Sequence, residues 1–253
     1  MMDKKIIFGV AFAYMLILLF SEVVVVLHSP EVGVLMHSLL ILYLVVCSSA
    51  VKEKKFSNIL KVLALPPLIR IVWASLPLAV IKHMYWLLAV YMILFLASYL
   101  LIRNQGKDIQ WAGIVFNKPA VQLMIALTGV LFGIIEYFIL SPPPMISALV
   151  IGAPLVPPLT FIMFLSFVEE LIFRGIIQTN AVKLMGESNG ILFVSVIFAI
   201  MHLVWQSALD LVFVFGVSLF YGYAFLKTRS IIGVSLSHGI ANAFLFLLVP
   251  FAL

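Results

Sequence analysis

Apolar runs about as long as a bilayer is thick recur along the whole of this sequence, and no other property restricts its fold so tightly. Nine can be marked, over 5–27, 33–51, 62–81, 84–102, 119–140, 157–180, 189–206, 208–227 and 230–250. Most approach the ~20 residues that an α-helix needs to cross a hydrocarbon core. With 65% hydrophobic residues, 10% charged residues and a mean hydropathy of +1.26, a soluble globular domain is excluded. Backbone polar groups in lipid must be satisfied within a helix or a closed barrel. These runs are continuous instead of alternating, so helices are expected. The expected fold is all-α: a polytopic transmembrane helical bundle of eight or nine spanning helices. The count is left open because the third run holds Pro66, Pro67, Arg70 and Pro77, and proline kinks or breaks a helix. The first run, Ile6 to Leu27, exceeds a leader core and precedes no small-residue cleavage pattern, so it is read as a spanning helix.

Charge orients the chain rather than marking a nucleic-acid partner, although the net charge is +5. A cytoplasmic N-terminus puts Lys4, Lys5, Lys52, Lys54, Lys55, Lys61, Arg103, Lys107, Lys118, Lys183, Lys227 and Arg229 inside. Only Lys82 then lies outside, with Arg70 and Arg174 within segments. This asymmetry is what the positive-inside rule asks for. Residues 103–118, basic and carrying Trp111 and Phe116, read as a cytoplasmic segment at the headgroups. Residues 141–158, rich in proline and free of basic residues, read as an external connection. The lone Cys47 has no partner for an internal disulfide. No internal repeat is evident, so an inverted-repeat transporter gains no support. One integrated membrane domain is expected, with N-terminal helices and basic loops over 1–118 and a chemical core over 119–253.

Within that core, ionised groups stand where hydrocarbon should be. Glu169 and Glu170 adjoin in LTFIMFLSFVEELIFRGII, with Arg174 following. Unpaired carboxylates in lipid cost several kcal/mol each. On a helix Glu170 and Arg174 share a face one turn apart, whereas Glu169 is rotated by about 100° from its neighbour. Glu170 therefore pairs with Arg174 and Glu169 is left for another task. The alternative is a charge network that only fixes helix packing. Phe198 and His202 are one turn apart, as are His238 and Asn242. Counted from the cytoplasmic helix ends at ~1.5 Å per residue, Glu169, His202 and His238 lie about 16, about 20 and about 12 Å deep. Three helices thus bring titratable groups to a similar depth.

These groups suit water activation beside a carbonyl. A carboxylate can act as general base, an imidazole can share the water, and a second histidine with an amide can serve the oxyanion. Two histidines and a carboxylate can also hold zinc with an open fourth position, and spacing does not separate the two mechanisms.

The stretches Glu169-Glu170-Leu171-Ile172-Phe173-Arg174, Phe198-Ala199-Ile200-Met201-His202 and His238-Gly239-Ile240-Ala241-Asn242 resemble the motifs EExxxR, FxxxH and HxxxN of the CPBP family. That family comprises CAAX-processing and bacteriocin-processing (Abi) intramembrane proteases, the Ras-converting CAAX endopeptidase among them. The resemblance covers about residues 120–245. It implies an intramembrane glutamate endopeptidase in which Glu169 is the general base, His202 helps position the water, and His238 with Asn242 forms the oxyanion site. Glu170, Arg174 and Phe198 would support them. The family has been described both as metal-dependent and as metal-free. No cofactor is favoured, because Asn242 is a poor zinc ligand and a good oxyanion donor; if metal-dependent, the ligands would be Glu169, His202 and His238. The implied partners are membrane lipids and a peptide or protein substrate, with a prenylated CAAX tail as the suggested class. The implied location is the plasma membrane, multi-pass, with the site open to the cytoplasm. An ion- or proton-coupled transporter and a non-catalytic partner protein of the same fold are the competing functions.

Other polar residues are read as structural. Gly129 and Gly133 suit close helix packing, and Glu136, facing that interface, either lines the substrate cavity or pairs with Arg70, the structural reading being preferred. Glu22 and Asp210 are expected to reach the membrane surface. His28, His37 and His83 are expected to be solvated in or beside external turns. Ser237, although it adjoins His238, is taken as a packing hydroxyl.

Overall fold

The computed structural model describes residues 3–76, 83–146, 152 and 155–252. Pro77, Lys82 and Pro154 lie outside the described residues, as does the side chain of His83. Among the described residues there is no strand, and nine helical stretches are long and apolar enough to cross a membrane. The chain is an integral, multi-pass membrane protein.

The first two helices, α1 (Lys4–Leu27) and α2 (Pro30–Ala50), form a hairpin whose turn is built by its caps. Ser29 Oγ accepts the amide of Val32, and Pro30 occupies the first turn of α2, where its missing N–H costs nothing. The third apolar run is helical in two pieces, α3 (Lys54–Val62) and α4 (Leu65–Ser75), interrupted at Leu63 and Ala64. Pro66 and Pro67 fall at the start of α4, so they begin a helix instead of breaking one. Together the two pieces still reach spanning length, from Lys54 to Ser75. The next helix is α5 (His83–Asn104). The segment that follows packs back on the core: Ile231 N donates to Gly113 O at 2.9 Å and Ser230 Oγ donates to Val115 O at 2.6 Å.

After α6 (Pro119–Leu140) comes the longest continuous stretch, 30 residues from Val156 to Met185. It is α7 (Val156–Glu170), a π-helical stretch over Leu171–Gln178, and α8 (Thr179–Met185). Every residue from Leu171 to Gln178 is buried, and π-turns in helices frequently mark functional sites. The chain continues as α9 (Glu187–Met201) and a short 3₁₀ turn over Leu203–Trp205. It ends in α10 (Ala208–Thr228), α11 (Ile232–Ala243), a second π-helical turn, and α12 (Val249–Ala252).

The expected role of Gly129 and Gly133 is met. A Cβ on either would collide with α11 backbone, at Ser237 O and Ala241 O respectively. The backbones of α6 and α11 therefore touch, and α11 is wedged between α6 and α7.

Four expectations about charged and titratable residues are corrected. Glu22 is fully buried, and Arg70 pairs with it, not with Glu136: Arg70 Nη2 lies 2.7 Å from Glu22 Oε2, and Nε donates to Oε1 at 3.0 Å. His37 is also fully buried, with Nε2 3.4 Å from the same carboxylate. The three residues come from α4, α1 and α2. A buried charge needs a partner more than it needs its own helix end, and only the tertiary fold supplies one. Asp210 is fully buried in the first turn of α10, where the helix dipole favours a negative charge. Neither of its carboxylate oxygens has a hydrogen-bond partner among the described residues. His28 is exposed, as expected.

Candidate active site

The glutamate pair closes α7, immediately before the π-helical stretch, and its two members face different ways. Glu170 has no solvent exposure. Its Oε1 accepts from Arg174 Nη1 at 3.0 Å and from His238 Nδ1 at 2.8 Å. Arg174, also fully buried, donates through Nη2 to Ser218 Oγ at 2.9 Å. Its guanidinium lies 4.5 Å from the centre of the Phe198 ring and 5.4 Å from that of Tyr221, where aromatic faces attract a desolvated cation. Glu170 and Arg174 therefore hold each other, as expected, and Glu170 also orients a histidine.

Glu169 keeps 22% of its side chain exposed. Its Oε2 lies 3.8 Å from His238 Nε2, longer than a hydrogen bond. Its Oε1 accepts a hydrogen bond from the hydroxyl of Tyr91 on α5.

His202 ends α9, with φ −89° and ψ 1°, in the bridge region where many active-site residues sit. Its Nδ1 is 2.8 Å from Phe198 O. A carbonyl can only accept, so Nδ1 carries the hydrogen and Nε2 presents a lone pair. His202 also lies within electrostatic reach of Glu169 and His238. His238 differs: with Nδ1 donating to Glu170, its Nε2 turns toward Glu169. Asn242, one turn along α11, donates through Nδ2 to the buried Ser166 Oγ at 3.1 Å.

Phe198 is the hub. Its ring packs against His202 at 4.5 Å, Phe173 at 5.0 Å and His238 at 6.1 Å between centroids. Ser237 bridges Tyr221 and Thr128, at 2.9 Å to each hydroxyl, and is fully buried, which suits its packing role.

The structure thus brings Glu169, Glu170, Arg174, Phe198 and His238 together, with His202 and Asn242 on the same hub and helix. Sequence reasoning missed Tyr91, Ser166 and Ser218. Tyr91 sits in the uncharged run WLLAVYMILF, and Ser166 and Ser218 are small hydroxyls in membrane helices, so nothing local marks them.

Zinc was the alternative for Glu169, His202 and His238. Among the described residues no three His, Cys, Asp or Glu side chains converge as a metal-binding group. Tyr91 bonds one oxygen of Glu169, Glu170 one nitrogen of His238 and Phe198 O one nitrogen of His202, so each of the three keeps one potential ligand atom, Oε2, Nε2 and Nε2, outside these hydrogen bonds.

The fold and the site define a multi-pass helical membrane protein with a half-buried carboxylate among histidines and an amide. Comparison with known families then narrows the class. Residues 152–244 match the family model of type II CAAX prenyl endopeptidases, Rce1-like, and the matched stretch contains all three motifs. At the level of that family, the match supports a CAAX-protease-like intramembrane endopeptidase. No curated protein and no solved structure matches the chain.

Proposed function

We propose that the protein is an intramembrane endopeptidase that hydrolyses a peptide bond of a membrane-associated substrate with water activated by Glu169. The observation that carries this reading is the divided fate of the glutamate pair. Glu170 is committed to Arg174 and His238, while Glu169 remains partly open beside His238. In this reading a water donates one hydrogen bond to Glu169 Oε2 and the other to the lone pair of His202 Nε2, and the water oxygen aims a lone pair at the carbonyl carbon. As the oxygen–carbon bond forms, Glu169 takes the water's proton and negative charge moves to the carbonyl oxygen. Asn242 Nδ2, which has a second hydrogen beyond the one given to Ser166, serves that oxyanion. His238 serves it through Nε2 as the imidazolium, because Nδ1–H is already given to Glu170. Collapse breaks the carbon–nitrogen bond, and the proton on Glu169 passes to the leaving amine.

The substrate class is a peptide or protein with a prenylated CAAX tail, and the mechanism is metal-free. The N-terminus and the mouth of the site face the cytoplasm of the plasma membrane. Residues 119–253 act as the catalytic core, framed by the helices of 1–118. The charge asymmetry of the loops supports the orientation.

The test uses the full chain, purified in detergent or liposomes, with a farnesylated CAAX-type reporter and a panel of membrane peptides. Cleavage is expected, and Glu169→Ala should reduce kcat at least ~10³-fold, in the range for loss of a general base. Full turnover by Glu169→Ala would end the proposal. Activity should survive exhaustive chelation with no metal found by elemental analysis; recovery on adding zinc would overturn the metal-free mechanism. Ion-driven uptake into liposomes, lost in Glu169→Ala, would show a transporter instead.

A further inference from the structure

Helix α5 lies outside the matched stretch, yet it reaches the centre of the site. Tyr91 is half-buried, and its hydroxyl donates to Glu169 Oε1. One turn on, the same face of α5 carries Phe95. Its ring packs on Phe164 at 6.2 Å and on Phe167 at 6.5 Å, both on α7. On the other side of Tyr91, Trp86 is buried edge-on against Trp73 at 5.8 Å and donates to Leu76 O at 3.1 Å. The face of α5 that presents the phenol is therefore held in register on the helix that carries the glutamates.

A carboxylate side chain has freedom about its terminal torsion, and either oxygen can take a proton. A base that turns freely presents the wrong oxygen part of the time and loses near-attack geometry. The bond from Tyr91 removes that freedom at Oε1, and the oxygen left over is the one that faces His238.

We propose that Tyr91 is a positioning residue: its hydroxyl holds Oε1 of Glu169 so that Oε2 is the oxygen that takes the water's proton. This rests on Glu169 being the base. The phenol neither gives nor receives a proton across the cycle, so the balance of the reaction is unchanged.

The experiment compares wild type, Tyr91→Phe, Tyr99→Phe and Glu169→Ala with the reporter above. Tyr99 is an exposed tyrosine on the same helix. Tyr91→Phe keeps the ring and its packing, and should lower kcat about 10- to 100-fold with KM within about twofold and an unchanged thermal midpoint, the size expected for losing one hydrogen bond to a charged group. Tyr99→Phe should match wild type. In infrared difference spectra, the carboxylate band removed by Glu169→Ala should shift in Tyr91→Phe and stay in place in Tyr99→Phe. Should Tyr91→Phe fail to fold, 3-fluorotyrosine placed at position 91 keeps the hydroxyl and should still change kcat without changing KM. An unchanged kcat and an unshifted band would overturn the inference, as would a loss that appears only in KM or in the thermal midpoint. Activity lost in Glu169→Ala but kept in Tyr91→Phe would remove this inference alone. Activity kept in Glu169→Ala would remove the base itself.

Discussion

Glu170 has no contact with solvent and shares one oxygen between Arg174 and His238, whereas Glu169, one residue earlier, retains exposure and a single donor from Tyr91. Their substitutions should therefore fail in different ways. Glu170→Ala leaves a fully buried guanidinium without its counter-ion, a change that costs about 3–5 kcal/mol. Its thermal midpoint in detergent should fall well below wild type, together with the yield of folded protein. Glu169→Ala should melt close to wild type while losing turnover. Equal midpoints for the two variants would contradict the scaffold role of Glu170. At this scale the site was largely legible from sequence, because Glu170–Arg174, Phe198–His202 and His238–Asn242 are all one-turn relations that helical geometry fixes locally. Tyr91 and Ser166 were not legible. Their importance lies in which helix they face, and a hydroxyl among apolar neighbours carries no sign of that.

At the scale of elements, the contact of α6 with α11 decides where His238 and Asn242 stand. Gly129→Ala and Gly133→Ala should each destabilise the protein by about 1–3 kcal/mol, the usual range for overpacking, because the obstacle is backbone and cannot rotate away. Gly216→Ala on α10 is the control, since a Cβ there meets nothing within 4 Å. Thermal unfolding followed by intrinsic fluorescence should rank the first two below wild type and the third level with it or above. The four-residue glycine spacing made this contact readable in advance. The division of the third apolar run into α3 and α4 was half readable. Its prolines announced an irregularity, but their position decided that they would open a helix rather than bend one.

At the scale of the molecule, the least legible feature is the ion cluster of Glu22, Arg70 and His37. Glu22 and Arg70 lie 48 residues apart in sequence, and no local pattern joins them. Arg70 also donates to Met201 O at 3.3 Å, the carbonyl just before His202. The cluster therefore ties α1, α2 and α4 to the end of the helix that carries a site histidine. Arg70→Met should be strongly destabilising, and Glu22→Leu should be as well, because each strands a buried charge. The double variant should recover a large part of the loss, giving a coupling of roughly 3 kcal/mol in a double-mutant cycle read by thermal unfolding. Simple additivity of the two single changes would show that the pair does not hold the helices together.

The glycine contact between α6 and α11 has a consequence for traffic as well as for strength. Two helices whose backbones touch along a seam cannot part to pass a polypeptide without rupturing the packing that holds His238 and Asn242 in place. That flank of the bundle is a wall, and any chain delivered to Glu169 from within the bilayer must arrive by another door.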